Sequence, residues 1–259
     1  MDPIKPKLSL GQHFLKDGNI IRKIANTIPA GQNDLVLEIG PGTGMLSREL
    51  LKRFKRVKAV EIDQRVVHYL ESDLPDLDVV HADILKADLD DLIPDDSSAV
   101  HIVGNLPYNI TSQILFKILA FRDRLSSAVL MMQKEVAARL VAVPSTKDYG
   151  ILSVQVQLMS RPEIKFDVSN NAFFPRPKVT SSVVLLHFDR PPLNCSDENL
   201  KKVVRTAFQQ RRKKLSNSLK SIQPLPEAPL FDYSKRAEAW EPEIYEKLAV
   251  CLEQDGILS

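Results

Sequence analysis

Residues Leu35–Gly44 read LVLEIGPGTG: a short apolar run, an acid at Glu38, and glycines at positions 40, 42 and 44. The apolar run is too short for a helix and is stopped by Gly-Pro-Gly, so it reads as a buried strand entering a tight turn. Thr43 to Phe54 then places Met45, Leu46, Leu50, Leu51 and Phe54 at helical spacing, with charged residues between them. A strand, a glycine turn and a helix N-terminus together let a ligand lie against bare backbone.

Outward from this stretch the chain alternates apolar strands with amphipathic helices. Strands are predicted at Leu35–Ile39, Val57–Ile62, Leu77–His81, Ala99–Gly104 and Ala128–Met132, and helices at Asn19–Ile28, capped by Asp17, and Ile110–Ala120. Glu163–Val168 and Ser182–Phe188 read as two closing strands, and Ile151–Met159 as a further helix. The expected class is α/β, with a mostly parallel sheet flanked by helices and ligands at the C-terminal ends of its strands. The polar, proline-containing segment Asp189–Asn199 reads as a boundary, giving domains over residues 1–188 and 189–259, the second small and helical and closed by a helix at Glu243–Glu253.

The 259 residues can bury a sizeable core, and 44% hydrophobic with 26% charged residues excludes a disordered chain. A net charge of +2 decides little, because the placement of charge matters more than its sum. Cys195 and Cys251 form no CxxC pair, and the histidines lack metal-ligand spacing, so neither a disulfide framework nor a metal is expected. No apolar run reaches the roughly 18 residues of a membrane span, and the N-terminus lacks a signal-peptide pattern; a cytoplasmic protein without membrane contact is expected.

The candidate site follows strand by strand. Gly40, Gly42 and Gly44 form GxGxG, not the GxGxxG of the usual dinucleotide fingerprint. Glu61, in VEID after the second strand, stands where an acid accepts from both hydroxyls of a ribose. Asp83, in HADIL, suits an adenine amino group and equally a turn cap. Asn105-Leu106-Pro107-Tyr108 offers an amide and a ring to a flat, amino-bearing base, although an Asn-X-Pro turn before a helix would read the same way.

Taken together, GQHFL (11–15), EIGPGTG (38–44), VEID (60–63), HADIL (81–85), NLPYNIT (105–111), FFPRPKVTSS (173–182) and FQQRRKKLSNSL (208–219) resemble the ribosomal RNA adenine N6-dimethyltransferases. Within that family the chain looks most like the branch acting on small-subunit rRNA. The resemblance implies a Rossmann-like methyltransferase fold with a seven-stranded sheet, S-adenosylmethionine as cofactor, and two adjacent adenosines near the 3′ end of small-subunit rRNA, in an immature subunit, as substrate. It implies that Gln12, His13 and Leu15 close over the methionine end of the cofactor, with Gly40 and Gly42 approached by its carboxypropyl chain. Glu61 with Ile62 would hold the ribose, and Asp83 with Ile84 the adenine. Asn105 would serve both cofactor and target base.

In the chemistry this implies, the Asn105 side-chain oxygen and the Leu106 carbonyl accept from the target amine and stabilise the positive charge growing on its nitrogen. Tyr108 and Phe173 sandwich the base, with Phe174 a rival for the second wall. Eight cations fall within 20 residues around Arg211, Arg212, Lys213 and Lys214, a run expected on a helix and suited to RNA phosphates. A monomer is expected. The alternatives are a large-subunit rRNA substrate, a non-catalytic RNA-docking module, and a nicotinamide dehydrogenase, the last disfavoured by the glycine spacing.

Overall fold

A computed structural model describes residues 4–7, 10–94, 96 and 99–258. The first half runs β1 (Phe14–Leu15), α1 (Gly18–Thr27), β2 (Leu35–Ile39), α2 (Met45–Leu51), β3 (Arg56–Glu61), α3 (Gln64–Asp73), β4 (Asp78–His81), α4 (Leu89–Leu92), β5 (Val100–Asn105) and α5 (Thr111–Ala120). There follow β6 (Ser127–Gln133), α6 (Lys134–Leu140), α7 (Ile151–Met159), β7 (Arg161–Val168), β8 (Phe173–Phe174) and β9 (Ser181–His187). The chain ends with α8 (Asp197–Gln209), α9 (Leu215–Ser218) and α10 (Pro242–Gln254).

Seven strands form one sheet in the order β4-β3-β2-β5-β6-β9-β7. β2 to β6 are parallel to their neighbours, and β9 runs antiparallel to β6. Every residue of β2 is buried, as expected of a central strand covered on both faces. From β2 the chain winds outward through β3 and β4, then returns to the other side of β2 as β5. The crevice between the ends of β2 and β5 is therefore the topological switch point, where such sheets bind ligands.

Local chemistry sets the element ends. The Asp17 carboxylate accepts from the amides of Asn19 and Ile20, capping α1 as expected. α2 begins at Met45, two residues later than the apolar spacing predicts, because Gly44 at its N-cap is left-handed, with φ of 72°. A second, two-stranded sheet pairs β1 with β8, Phe14 opposite Phe174 and Leu15 opposite Phe173.

The chain divides into two compact units: up to Ala137 together with Glu163–Phe188, and Ala138–Pro162 together with the residues from Asp189 on. Residues 138–162 thus group with the C-terminal helices, not with residues 1–137 as a single division at 188 would have it. The cause lies in α7, whose residues Leu152 to Val156 are all buried. A helix buried over more than a full turn needs cover on every side, and α8 and α10 both pack against it. The same unit holds a line of aromatic rings, Tyr149–Phe208–Tyr245–Trp240, in which the Tyr149 hydroxyl donates to the Trp240 carbonyl at 2.8 Å. No described helix is long and apolar enough to cross a membrane.

Candidate active site

A cleft of about 750 Å³, including the space at its mouth, opens at the switch point. Its floor is the glycine turn after β2. Gly40 has φ of 67°, and nothing lies within 4 Å of where its Cβ would stand, so the backbone there faces open space. Gly42, with φ of 53°, is held differently: a Cβ would lie 2.9 Å from the Phe14 ring. Both positions require glycine, one by conformation alone and one also by the close approach of β1.

Glu61 ends β3 at the side wall. Its carboxylate accepts from the Asp63 amide at 2.8 Å, and the Gly42 and Ile62 amides also hold it. Burial pushes its pKa up, and these amide donors oppose the shift. Ile62 beside it is an exposed large hydrophobic side chain that lines the cleft. Asp83 and Ile84 follow from β4 and line it too. Asp83 also caps its own turn, its Oδ1 accepting from the Leu85 amide at 3.0 Å.

Residues Leu10 to Phe14 form the cover. Asp63, the N-cap of α3, ties this strap down: its carboxylate accepts from Gln12 Nε2 and from Lys7 Nζ, each at 3.4 Å, and pairs with Arg65 at 2.6 Å. The Arg65 guanidinium beside Asp63 holds its carboxyl well below the usual range.

Asn105 ends β5 at the centre of the site. Its Nδ2 donates to the His13 carbonyl at 2.8 Å, and a carbonyl can only accept, which fixes the amide's orientation. The Asn105 Oδ1 is left buried with no hydrogen-bond partner among the described residues. Such an atom is costly unless a ligand satisfies it. Leu106 and Tyr108 continue the wall, and the Leu106 amide donates to the Met131 carbonyl, anchoring the turn to β6 at 3.0 Å. The Tyr108 hydroxyl bonds Ser181 Oγ at 2.6 Å, fixing the ring. The His13 imidazole stacks on that ring, with centroids 5.3 Å apart, while its Nδ1 bonds the Pro175 carbonyl at 2.7 Å. A base between the two rings would need about 7 Å, twice the roughly 3.4 Å rise of stacked bases. In this conformation the imidazole itself covers that face of Tyr108.

The structure thus brings together Gln12, His13, Gly40, Gly42, Glu61, Ile62, Asp83, Ile84, Asn105, Leu106 and Tyr108. It separates the others. Leu15 is buried in the core and borders a smaller adjoining pocket. Phe173 is 2% exposed, packed in the same core cluster, and does not line the cleft. In this conformation Phe173 does not face the cleft: strand alternation in β8 turns it inward with Leu15 and leaves Phe174 61% exposed. The basic run belongs to the other compact unit and is not helical. α8 ends at Gln209, and residues 210–213 form a turn. Arg211 is tied to Glu238 at 2.8 Å and to the Thr146 and Lys147 carbonyls, and Lys214 is the N-cap of α9. Arg212 and Lys213 remain exposed with no acidic partner among the described residues.

The sequence reading missed Glu38. Its carboxyl is buried behind the glycine turn, accepts from Ser47 Oγ at 2.5 Å and borders the adjoining pocket with Gly40 and Asn105. Burial pushes its pKa up to about 7. The signal was present in the sequence as an acid within an otherwise apolar central strand.

A family model described as ribosomal RNA adenine dimethylase matches residues 4–235. The chain is 43% identical to the ribosomal RNA small subunit methyltransferase A of Porphyromonas gingivalis, over 97% of this chain and 99% of that protein. The crystal structure of a dimethyladenosine transferase from Plasmodium falciparum matches 94% of this chain and 98% of its own, with a TM-score of 0.80 at 25% identity. That of the 23S rRNA methyltransferase ErmE matches 93% of this chain and 100% of its own, with a TM-score of 0.70 at 29% identity. With a switch-point cleft whose central amide keeps a free acceptor, and with a family match over most of its length, the chain belongs to the ribosomal RNA adenine dimethylase family.

Proposed function

We propose that this protein transfers methyl groups from S-adenosylmethionine to the N6 amines of two adjacent adenosines near the 3′ end of small-subunit rRNA, in an immature subunit in the cytoplasm, and that it works as a monomer. The observation that carries the reading is the buried, unpartnered Asn105 Oδ1 beside a cleft of nucleoside size. The small-subunit substrate is supported by 43% identity to a small-subunit enzyme, against 29% to the 23S enzyme.

The residues present fit the cofactor. Gly40 gives its chain end an open backbone, Glu61 offers ribose hydroxyls a carboxylate, and Asp83 and Ile84 offer an adenine one acceptor and one apolar surface. When bound, it would supply an activated methyl on a sulfonium, which the amine lone pair would take while the S–C pair stayed on sulfur and the amine proton left to solvent. The protein's part is positioning and electrostatics. Asn105 Oδ1 and the Leu106 carbonyl accept the amine hydrogens, hold the nitrogen in a pyramidal geometry and stabilise the charge it acquires. Tyr108 stacks on the base, and His13 vacates the ring face when the base uses it. Arg212 and Lys213 contact RNA phosphate.

The test is transfer of labelled methyl to immature small subunits, read by nucleoside mass spectrometry. Dimethyladenosine in small-subunit rRNA is expected. Label appearing only in large-subunit rRNA rejects the substrate, and cofactor binding without transfer to either subunit rejects the activity.

A further inference from the structure

Phe174 is 61% exposed on a segment whose flanks are anchored. The Pro175 carbonyl is held by His13 at 2.7 Å, and the Thr180 carbonyl by the Lys134 amide at 3.0 Å. Phe174 lies directly opposite Phe14 in the two-stranded sheet, and residues opposite one another in an antiparallel pair project from the same face. Phe14 lines the cleft, so Phe174 stands on the cleft side, beyond the wall and open to solvent.

Cations flank it along the chain and across the strand pair. The Lys16 amide bonds the Ala172 carbonyl at 2.8 Å, and alternation along β1 puts Lys16 on the face of Phe14. Arg176 and Lys178 follow Phe174 on the same segment. All three are exposed and have no acidic partner among the described residues. An exposed ring among unpaired cations matches the two surfaces of single-stranded nucleic acid, the base and the phosphate.

We infer that Phe174, Lys16, Arg176 and Lys178 form a lip for the single-stranded RNA that flanks the target adenosine. Phe174 stacks on a neighbouring base while the cations contact the adjoining phosphates. The inference rests on the RNA-methylating reading above and extends it from the reacting base to its neighbours. Charge complementarity and continuity with the cleft select RNA over an apolar protein partner.

The test is fluorescence anisotropy on the full chain, with a labelled short oligoadenylate and with a second oligomer whose nucleotides flanking one central adenosine lack bases. Phe174→Ala is expected to weaken binding of the first by about five-fold or more and to leave the second unchanged, while Phe174→Trp keeps wild-type affinity. Arg176→Gln with Lys178→Gln should lower the slope of log affinity against log salt by about 0.7 per cation lost. Equal effects of Phe174→Ala on both oligomers, or no effect on either, overturn the stacking role; an unchanged salt slope overturns the cation role. Because binding alone is read, failure of the wild-type protein to methylate small subunits rejects the proposed function separately from the lip.

Discussion

Asn105 uses its two amide ends differently: Nδ2 is bonded to the strap through the His13 carbonyl, and Oδ1 is buried without a partner. Asn105→Ala removes both, and the single-turnover methylation rate should fall by about 100-fold or more, as when one preorganised transition-state contact is lost. Asn105→Asp keeps the acceptor but sets a carboxylate against the His13 carbonyl, so it should fare no better. A near-normal rate for the alanine variant would defeat the mechanism. Glu38 gives a prediction about stability. Its carboxyl, pushed up to about 7 by burial, stays protonated in the folded chain at pH values where the unfolded chain has already ionised. Folding is therefore favoured most below the unfolded pKa of 4.5, and stability falls as pH rises from there through the folded value. Glu38→Gln, neutral at all pH, should remove this slope and make the free protein more stable at pH 8, by about 3 kcal/mol relative to the wild type. Parallel urea-unfolding curves for both proteins from pH 5 to 8 would contradict it.

Among the elements, the strap over the cleft is held in part by side-chain bonds. Lys7 and Gln12 both reach Asp63, and Asp63 also caps α3. Asp63→Ala should cost about 1 kcal/mol of stability through the lost cap. It should also weaken S-adenosylmethionine binding by about ten-fold through the two lost hydrogen bonds, with Lys7→Ala losing less; calorimetry that finds cofactor affinity unchanged would show that Asp63 does not clasp the strap. The main sheet was legible in the sequence because β2, β5 and β6 are short, mostly apolar runs and β3 alternates apolar with charged residues, and the cleft because its residues follow the strand ends. The β1–β8 pair was not, since two residues carry no periodicity. Phe173 shows the same limit: residue type marks it as aromatic, and only strand pairing decides which of Phe173 and Phe174 faces inward. α7 announces its burial by composition, but nothing in it names the helices that cover it. The basic run read as a helix because it follows the helical apolar spacing of Leu200, Val203, Val204, Ala207 and Phe208 with no breaker before Pro224, whereas Arg211 is set by carbonyls at Thr146 and Lys147, far away in sequence.

Over the whole molecule a net charge of +2 conceals an uneven distribution. Many cations are spent internally: Arg48 on Asp73, Arg53 on Glu49, Arg65 on Asp63 and Arg211 on Glu238. Those left unpaired, Arg212 and Lys213 among them, are the ones able to release counterions from RNA. The four residues of the basic run should therefore not behave alike. Arg212→Ala with Lys213→Ala should weaken binding to immature small subunits, flatten its salt dependence and leave S-adenosylmethionine affinity unchanged, because neither residue touches the cleft. Arg211→Ala should instead lower the thermal unfolding midpoint, since it removes an ion pair and two carbonyl contacts within the C-terminal unit. Filter binding over a salt series, set beside thermal unfolding of the same variants, separates the two effects. A double variant that binds subunits with the wild-type salt slope would remove this turn from the RNA contact and leave the cations beside the cleft to supply it.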